Sequence, residues 1–224
     1  MTKVSILGCG WVGQALIDIL NTNKYEDVCL SRDMEENSAQ ALYDCDVLVI
    51  AIPPRDNYLE VLRETLERIE ATTQVILLSS ISFYDGKPLV IEGEGLVQRM
   101  HEGVVILRLG GLMGYDRIAG KYTAGKVLTS DARTNYVHRD DVVGIIESII
   151  EQDVRDEIFD VLAPLQCSKK EIFSQNAEMF GFEKTEFLSG DEVGKVLAPT
   201  KLCKHLDYTF VKKDVKAFWQ FDSD

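Results

Sequence analysis

Residues 3–7 form a short apolar run, and Gly8-Cys9-Gly10-Trp11-Val12-Gly13 follows it at once. Residues 11–20 then repeat apolar side chains at helical spacing, with Val12, Leu16, Ile19 and Leu20 on one face. This G-x-G-x-x-G pattern between a strand and a helix constrains the chain more than any other feature. The first glycine permits a tight turn, the second lets backbone approach a pyrophosphate, and the third lets helix and strand pack closely. The helix N-terminus behind it offers unpaired N–H groups and partial positive charge to phosphate. The bland alternative is that the glycines serve close packing only, and Trp11 reads as packing beside the turn.

The same alternation continues along the chain. Strand-like runs cover 27–31, 46–53, 74–80, 103–109 and 157–163, and helical patterns cover 56–70, about 95–101, 140–150 and 168–180. Asp140 is the expected N-cap of the helix at 140–150. The strands are continuous Val/Ile/Leu runs rather than alternations, so both faces of the sheet are covered. That pattern specifies an α/β, doubly wound parallel sheet, the Rossmann architecture. Residues 1–163 are assigned to this domain and 164–224 to a small C-terminal lobe over the carboxyl edge of the sheet. Between residues 32 and 46 there is room for one helix only. The third strand of a full Rossmann unit is therefore expected to be missing, with the second strand on the edge and a shallow adenine pocket. Ser31 and Arg32 follow that second strand, where an acidic residue would favour NAD and an arginine the 2′-phosphate of NADP. They lean the reading toward NADP.

Charge and cysteine usage exclude other classes. The chain carries 37 acidic and 24 basic residues, a formal net charge of −13, and its basic residues are scattered. Nucleic acid is therefore not an expected partner. The five cysteines include no C-x-x-C pair and read as small buried thiols of a cytoplasmic protein, without a disulfide framework. His101, His138 and His205 are too dispersed for a zinc site, so no metal is expected. No run approaches the length of a membrane span. Oligomeric state is not legible.

Several segments together resemble the NAD-dependent epimerase/dehydratase family, the extended short-chain dehydrogenase/reductases, in a shortened form. They are "GCGWVG", "DCDVLVIAIPP", "LLSSISFYDG", "VVILRLGGLMGYDR" and "NYVHRDDVVGII", with a C-terminal stretch beginning "IFDVLAPLQCSKKEIF". The resemblance implies NAD or NADP and a small-molecule substrate, often a sugar or sugar nucleotide. It places Gly8, Gly10 and Gly13, with the flanking Trp11 and Val12, on the pyrophosphate. Ala51, Ile52, Pro53 and Ser79 would line the cofactor path, and Gly110, Gly111 and Leu112 would pass the nicotinamide. Ser80 falls on the family's catalytic Ser or Thr, and Tyr84 either is structural, like the family's aromatic after the serine, or borders the pocket.

The family's Tyr-x-x-x-Lys is missing from the following helix, where Glu94 and Gln98 occupy the two positions. Its loss removes an acid/base contribution worth roughly 10²–10⁴-fold. Tyr122 and Lys126 repeat the spacing in a later loop and are candidate substrate contacts, whereas Tyr208 with Lys212 reads as core. Arg108 is expected to pair with a carboxylate, and His138 with Asp140 and Asp141 to form a strand end and helix cap. Two functions fit: a divergent oxidoreductase or epimerase using Ser80, or a non-catalytic NAD(P)-sensing protein.

Overall fold

The computed structural model describes residues 1–21, 24–30, 43–188 and 194–220. Its centre is a six-stranded parallel sheet built from β1 (Thr2–Leu7), β2 (Tyr25–Leu30), β3 (Val47–Ile50), β4 (Gln74–Ser80), β5 (Val105–Leu109) and β9 (Ile158–Val161), in the order β2-β1-β3-β4-β5-β9. The order reverses at β1, which pairs with β2 on one side and β3 on the other, so a crevice opens at the carboxyl ends of β1 and β3. Among the described residues β2 is an edge strand. The expected helix between 32 and 46, like Ser31 and Arg32, falls mostly or wholly outside the described residues.

Each strand sends alternate side chains to opposite faces, and this alternation makes two cores. Val4, Ile6, Val49, Ile76 and Leu107 pack against α1 (Trp11–Leu20) and α4 (Arg139–Glu151), joined by Leu202 and Leu206 of α6 (Thr200–Leu206). On the other face Leu48, Ile50, Leu77 and Ile106 pack against α2 (Tyr58–Leu66) and α3 (Pro88–Met100). A third cluster joins Ile118 and Ala163 to Ile172 and Phe173 of α5 (Lys169–Phe180) and to Phe218 and Trp219. Two short parallel pairs complete the chain: β6 (Gly111–Met113) with β8 (Tyr136–His138), and β7 (Val127–Leu128) with β10 (Glu186–Phe187). Helix α5 opens on a reciprocal cap between Ser168 and Glu171 and stops at Gly181, φ 69°.

Three local expectations change. Helix α3 starts at Pro88 rather than near 95, since proline is well suited to the first helical position and Gly93 fits where the Tyr58 ring presses on the helix. The cap of α4 is His138, whose Nδ1 accepts from the Asp140 N–H at 3.3 Å; Asp140 lies inside the first turn. Cys9 and Cys29 are disulfide-bonded rather than free, with Cα atoms 5.7 Å apart. The parallel β1–β2 register sets Ile6 beside Cys29, so Cys9, just beyond β1, comes back over the edge strand. Nothing in a separation of 20 residues announces that pairing.

Candidate functional site

The three glycines of the turn have three different reasons. Gly8 has φ 115°, and a Cβ there would sit 2.9 Å from the Ala51 carbonyl oxygen. A Cβ on Gly13 would overlap the Gly8 carbonyl oxygen. Both are demanded by the fold itself. Gly10 has an ordinary φ of −82° and nothing within 4 Å of where its Cβ would be. Neither strain nor packing requires it, and its open side faces the crevice. It also caps α1 without a side-chain hydrogen bond, so no side chain competes for the first-turn N–H groups.

That crevice is a cleft of about 460 Å³ lined by Gly10, Trp11, Val12, Gly13, Ala51, Ile52, Pro53, Ser79, Ser80, Gly110 and Leu112 among the residues read from sequence. Pro54, Arg55, Tyr58, Leu78, Val90, Leu109 and Arg117 complete the wall. Among the described residues Arg55 and Arg117 are its only charged members and no carboxylate lines it, although acidic residues outnumber basic ones in the chain. Gly8 lies beneath the turn. Gly111 is not in the lining; a Cβ there would press on the Tyr136 ring at 2.6 Å. Tyr122 is 72% exposed and Lys126 Nζ donates to the Tyr122 carbonyl at 3.3 Å, away from the cleft wall. A second hollow of about 480 Å³, at the amino ends of β5 and β9, is lined by Gln98, His101, Glu102, Asp156 and Lys201. Gln98 thus belongs to the opposite edge of the sheet.

Where a Tyr–Lys pair would act, the chain builds an ion-pair network. Glu94, 2% exposed, receives Arg108 Nη2 at 2.7 Å and Nε at 3.1 Å, and Ser79 Oγ donates to its other oxygen at 2.5 Å. Both carboxylate oxygens are engaged, so Glu94 is a poor base for anything in the cleft. Arg108 also donates to the Tyr84 hydroxyl at 3.1 Å and lies over the Phe83 ring at 3.5 Å, while Tyr84 donates to Asp160 at 2.9 Å. Burial, then the Asp160 hydrogen bond and charge, push the Tyr84 phenol up, against the pull of Arg108. It stays protonated, outside the cleft lining. The pairing of Arg108 with a carboxylate is as the sequence suggests.

Two hydroxyls face the cleft differently. Ser80 Oγ accepts from the Ser82 N–H at 3.1 Å and from Ser82 Oγ at 3.0 Å, which fixes its direction and leaves its own proton to donate. Tyr58, 5% exposed, lines the cleft, and its hydroxyl has no hydrogen-bond partner among the described residues. Burial and the charge of Glu94 push its pKa up to about 12, so it is a donor at neutral pH. Sequence periodicity alone makes Tyr58 an ordinary core residue of an amphipathic helix. Arg117, missed likewise, had a signal: it closes "GGLMGYDR" at the carboxyl edge, where such folds bind ligands.

Among the described residues, no helix is long and apolar enough to cross a membrane, and no cluster of three or more His, Cys, Asp or Glu could hold a metal ion. No family model matches the chain. The Escherichia coli K12 protein YeeZ is 26% identical, with 96% of this chain and 97% of that protein covered. The human epimerase family protein SDR39U1, solved with NADPH, is 15% identical with a TM-score of 0.74, covering 96% of this chain and 97% of that one. UDP-glucuronic acid 4-epimerase from Bacillus cereus, solved with a fluorinated UDP-glucuronic acid and NAD, is 18% identical with a TM-score of 0.73 over the same shares. Crevice, sheet order and neighbours agree, and this chain has the Rossmann fold of the NAD-dependent epimerase/dehydratase and related short-chain dehydrogenase/reductase proteins, the group its sequence resembles.

Proposed function

We propose that the cleft binds NAD(P) and that the protein is an epimerase/dehydratase-type protein whose chemistry, where it acts, is on a sugar or sugar nucleotide. The observation that carries this reading is Gly10, a glycine that neither backbone strain nor packing explains, at the mouth of a cleft whose charged lining among the described residues is two arginines. Backbone N–H groups of Gly10 to Gly13 would meet the pyrophosphate, and Ala51, Ile52 and Pro53 would run beside the cofactor. Ser31 and Arg32, after β2, favour the 2′-phosphate of NADP. Residues 164–224 would cover the substrate, and the UDP-sugar complex of the Bacillus cereus neighbour supports that choice of substrate class. When bound, the nicotinamide supplies a site for hydride exchange. Ser80 would donate a hydrogen bond to the substrate oxygen at the reacting carbon.

A second reading has a specific observation behind it. Glu94 is tied to Arg108 and Ser79, and among the described residues no Tyr–Lys pair lines the cleft. That favours a non-catalytic NAD(P)-sensing protein over an oxidoreductase or epimerase. Titration of the purified protein with NADPH and NADH separates binding from its absence. Micromolar affinity abolished by Gly10→Asp is the expected result, and no binding at millimolar nucleotide would overturn the cofactor reading. Screening UDP-sugars for a cofactor absorbance change then divides the enzyme from the sensor.

A further inference from the structure

Arg117 joins the phosphate turn from a distant part of the chain. It follows β6, and its backbone is clamped to Gly114 by two hydrogen bonds, Arg117 N–H to the Gly114 carbonyl at 3.0 Å and the reverse at 3.1 Å. Its guanidinium carbon lies 4.1 Å from the centroid of the Trp11 ring. Trp11 is the first residue of α1, so the contact ties Arg117 to the helix end that carries the free N–H groups. The indole is held in turn: its Nε1 donates to Asp116 at 3.2 Å, and Arg139 approaches the same ring at 5.0 Å.

No carboxylate among the described residues forms an ion pair with Arg117, while the cleft counts it in its wall. The neighbouring Asp116 is engaged with the indole. A guanidinium attracted to an aromatic face can still use its N–H groups to hold an acceptor, and paired N–H groups match phosphate oxygens. A backbone-clamped, ring-supported cation loses little freedom on binding.

We propose that Arg117, seated on Trp11, is an anion anchor that grips the pyrophosphate of the dinucleotide beside the glycine turn. This rests on the reading of the cleft as an NAD(P) site and adds a side-chain contact to its backbone ones. Its ligand chemistry is a diphosphate. The contact with the first residue of α1 assigns that diphosphate to the cofactor rather than to a nucleotide-sugar substrate.

The test titrates the full chain, wild type, Arg117→Met and Arg117→Lys, with NADPH and NADH at two salt concentrations, with inorganic pyrophosphate as competitor and UDP-glucose in a separate arm. Losing a charged hydrogen-bond partner is expected to weaken both cofactors about tenfold or more in Arg117→Met. The salt dependence of binding flattens and pyrophosphate competes less well, with the thermal midpoint close to wild type. Arg117→Lys keeps the charge and loses the fork, falls between the two, and serves as the test if the methionine variant does not fold. Cofactor affinity and salt dependence equal to wild type in both variants would overturn the anchor and leave the cofactor reading standing. Unchanged cofactor binding with lost UDP-glucose binding would overturn its assignment to the cofactor. A wild type that binds neither nucleotide overturns the cofactor reading, and the anchor falls with it.

Discussion

The two walls of the cleft are made of different materials. The wall at β1 and α1 is backbone: a turn whose Gly8 and Gly13 are dictated by contacts with main-chain carbonyls, and a helix end without a side-chain cap. The wall at β4, α3 and β5 is backed by side chains: Ser79 faces the cleft, and behind it Glu94, Arg108, Tyr84 and Asp160 continue in one hydrogen-bonded line. A backbone site keeps its N–H donors through every substitution but proline, although a side chain added over them can still block the ligand. A side-chain site is redefined by each replacement, and here the polar groups serve one another before they serve a ligand. The comparison teaches that one side of a cleft can be specified by the fold's own backbone while the side facing it is specified by side chains.

The sharpest way to break the side-chain wall is Arg108→Met. It strands a buried Glu94 carboxylate, and unfolding in urea should show a loss of about 3–5 kcal/mol. Adding Glu94→Leu should recover most of that loss, since removing both charges also removes the desolvation cost. If the single and double variants are equally unstable, the wall is held by packing and the contrast is false. On the backbone wall, Gly13→Ala pushes a methyl into the Gly8 carbonyl and is expected to cost about 3 kcal/mol of stability, in the range of severe overpacking. Gly10→Ala meets nothing and should stay within about 1 kcal/mol of wild type by the same denaturation measurement. Equal costs at the two glycines would erase the distinction drawn between fold and ligand.

Smaller effects refine the picture. Replacing Cys9 and Cys29 by serine removes the cross-link between the turn and the edge strand and should lower stability by about 2–3 kcal/mol, read as a lower urea midpoint. The smallest effect is set by pH. Burial is the main cause that holds His138 below its ordinary pKa, opposed by Asp140 and assisted by Lys212 and Arg139. A depressed folded pKa means that the unfolded chain takes up the proton first. Stability is therefore present in full above the ordinary histidine value of about 6.5 and declines as pH falls through the lower folded value. His138→Asn, which keeps an acceptor for the Asp140 N–H, should flatten that decline in urea titrations between pH 7.5 and 5.5.

What the sequence makes legible follows from range. Strands β1, β4 and β5 and helices α1, α4 and α5 are written in local periodicity, and their positions differ little from the reading. The phosphate turn is local too, which is why the cleft's first wall is legible in the chain alone. The line of side chains behind the second wall joins residues 79, 84, 94, 108 and 160, whose pairing depends on the β4–β5–β9 register. Sequence can nominate Arg108 for a carboxylate without knowing that the partner is Glu94, the residue at the family's tyrosine position. Tyr58 is hidden for another reason: its helix buries Leu62 and Leu66 on the same face, so a cleft hydroxyl looks like one more core contact. Gly93, which fits under the Tyr58 ring, reads as a helix breaker until the ring is seen.

The cross-link between Cys9 and Cys29 closes residues 9–29 into a covalent ring with α1 inside it. A ring cut once remains one molecule. Cleavage of the unreduced chain by trypsin after Lys24 alone would leave β1, the turn and the rest of the protein joined, migrating as a single band under denaturing conditions. Only a thiol would release the amino-terminal piece, so the gel with and without reductant reads the topology of the turn directly.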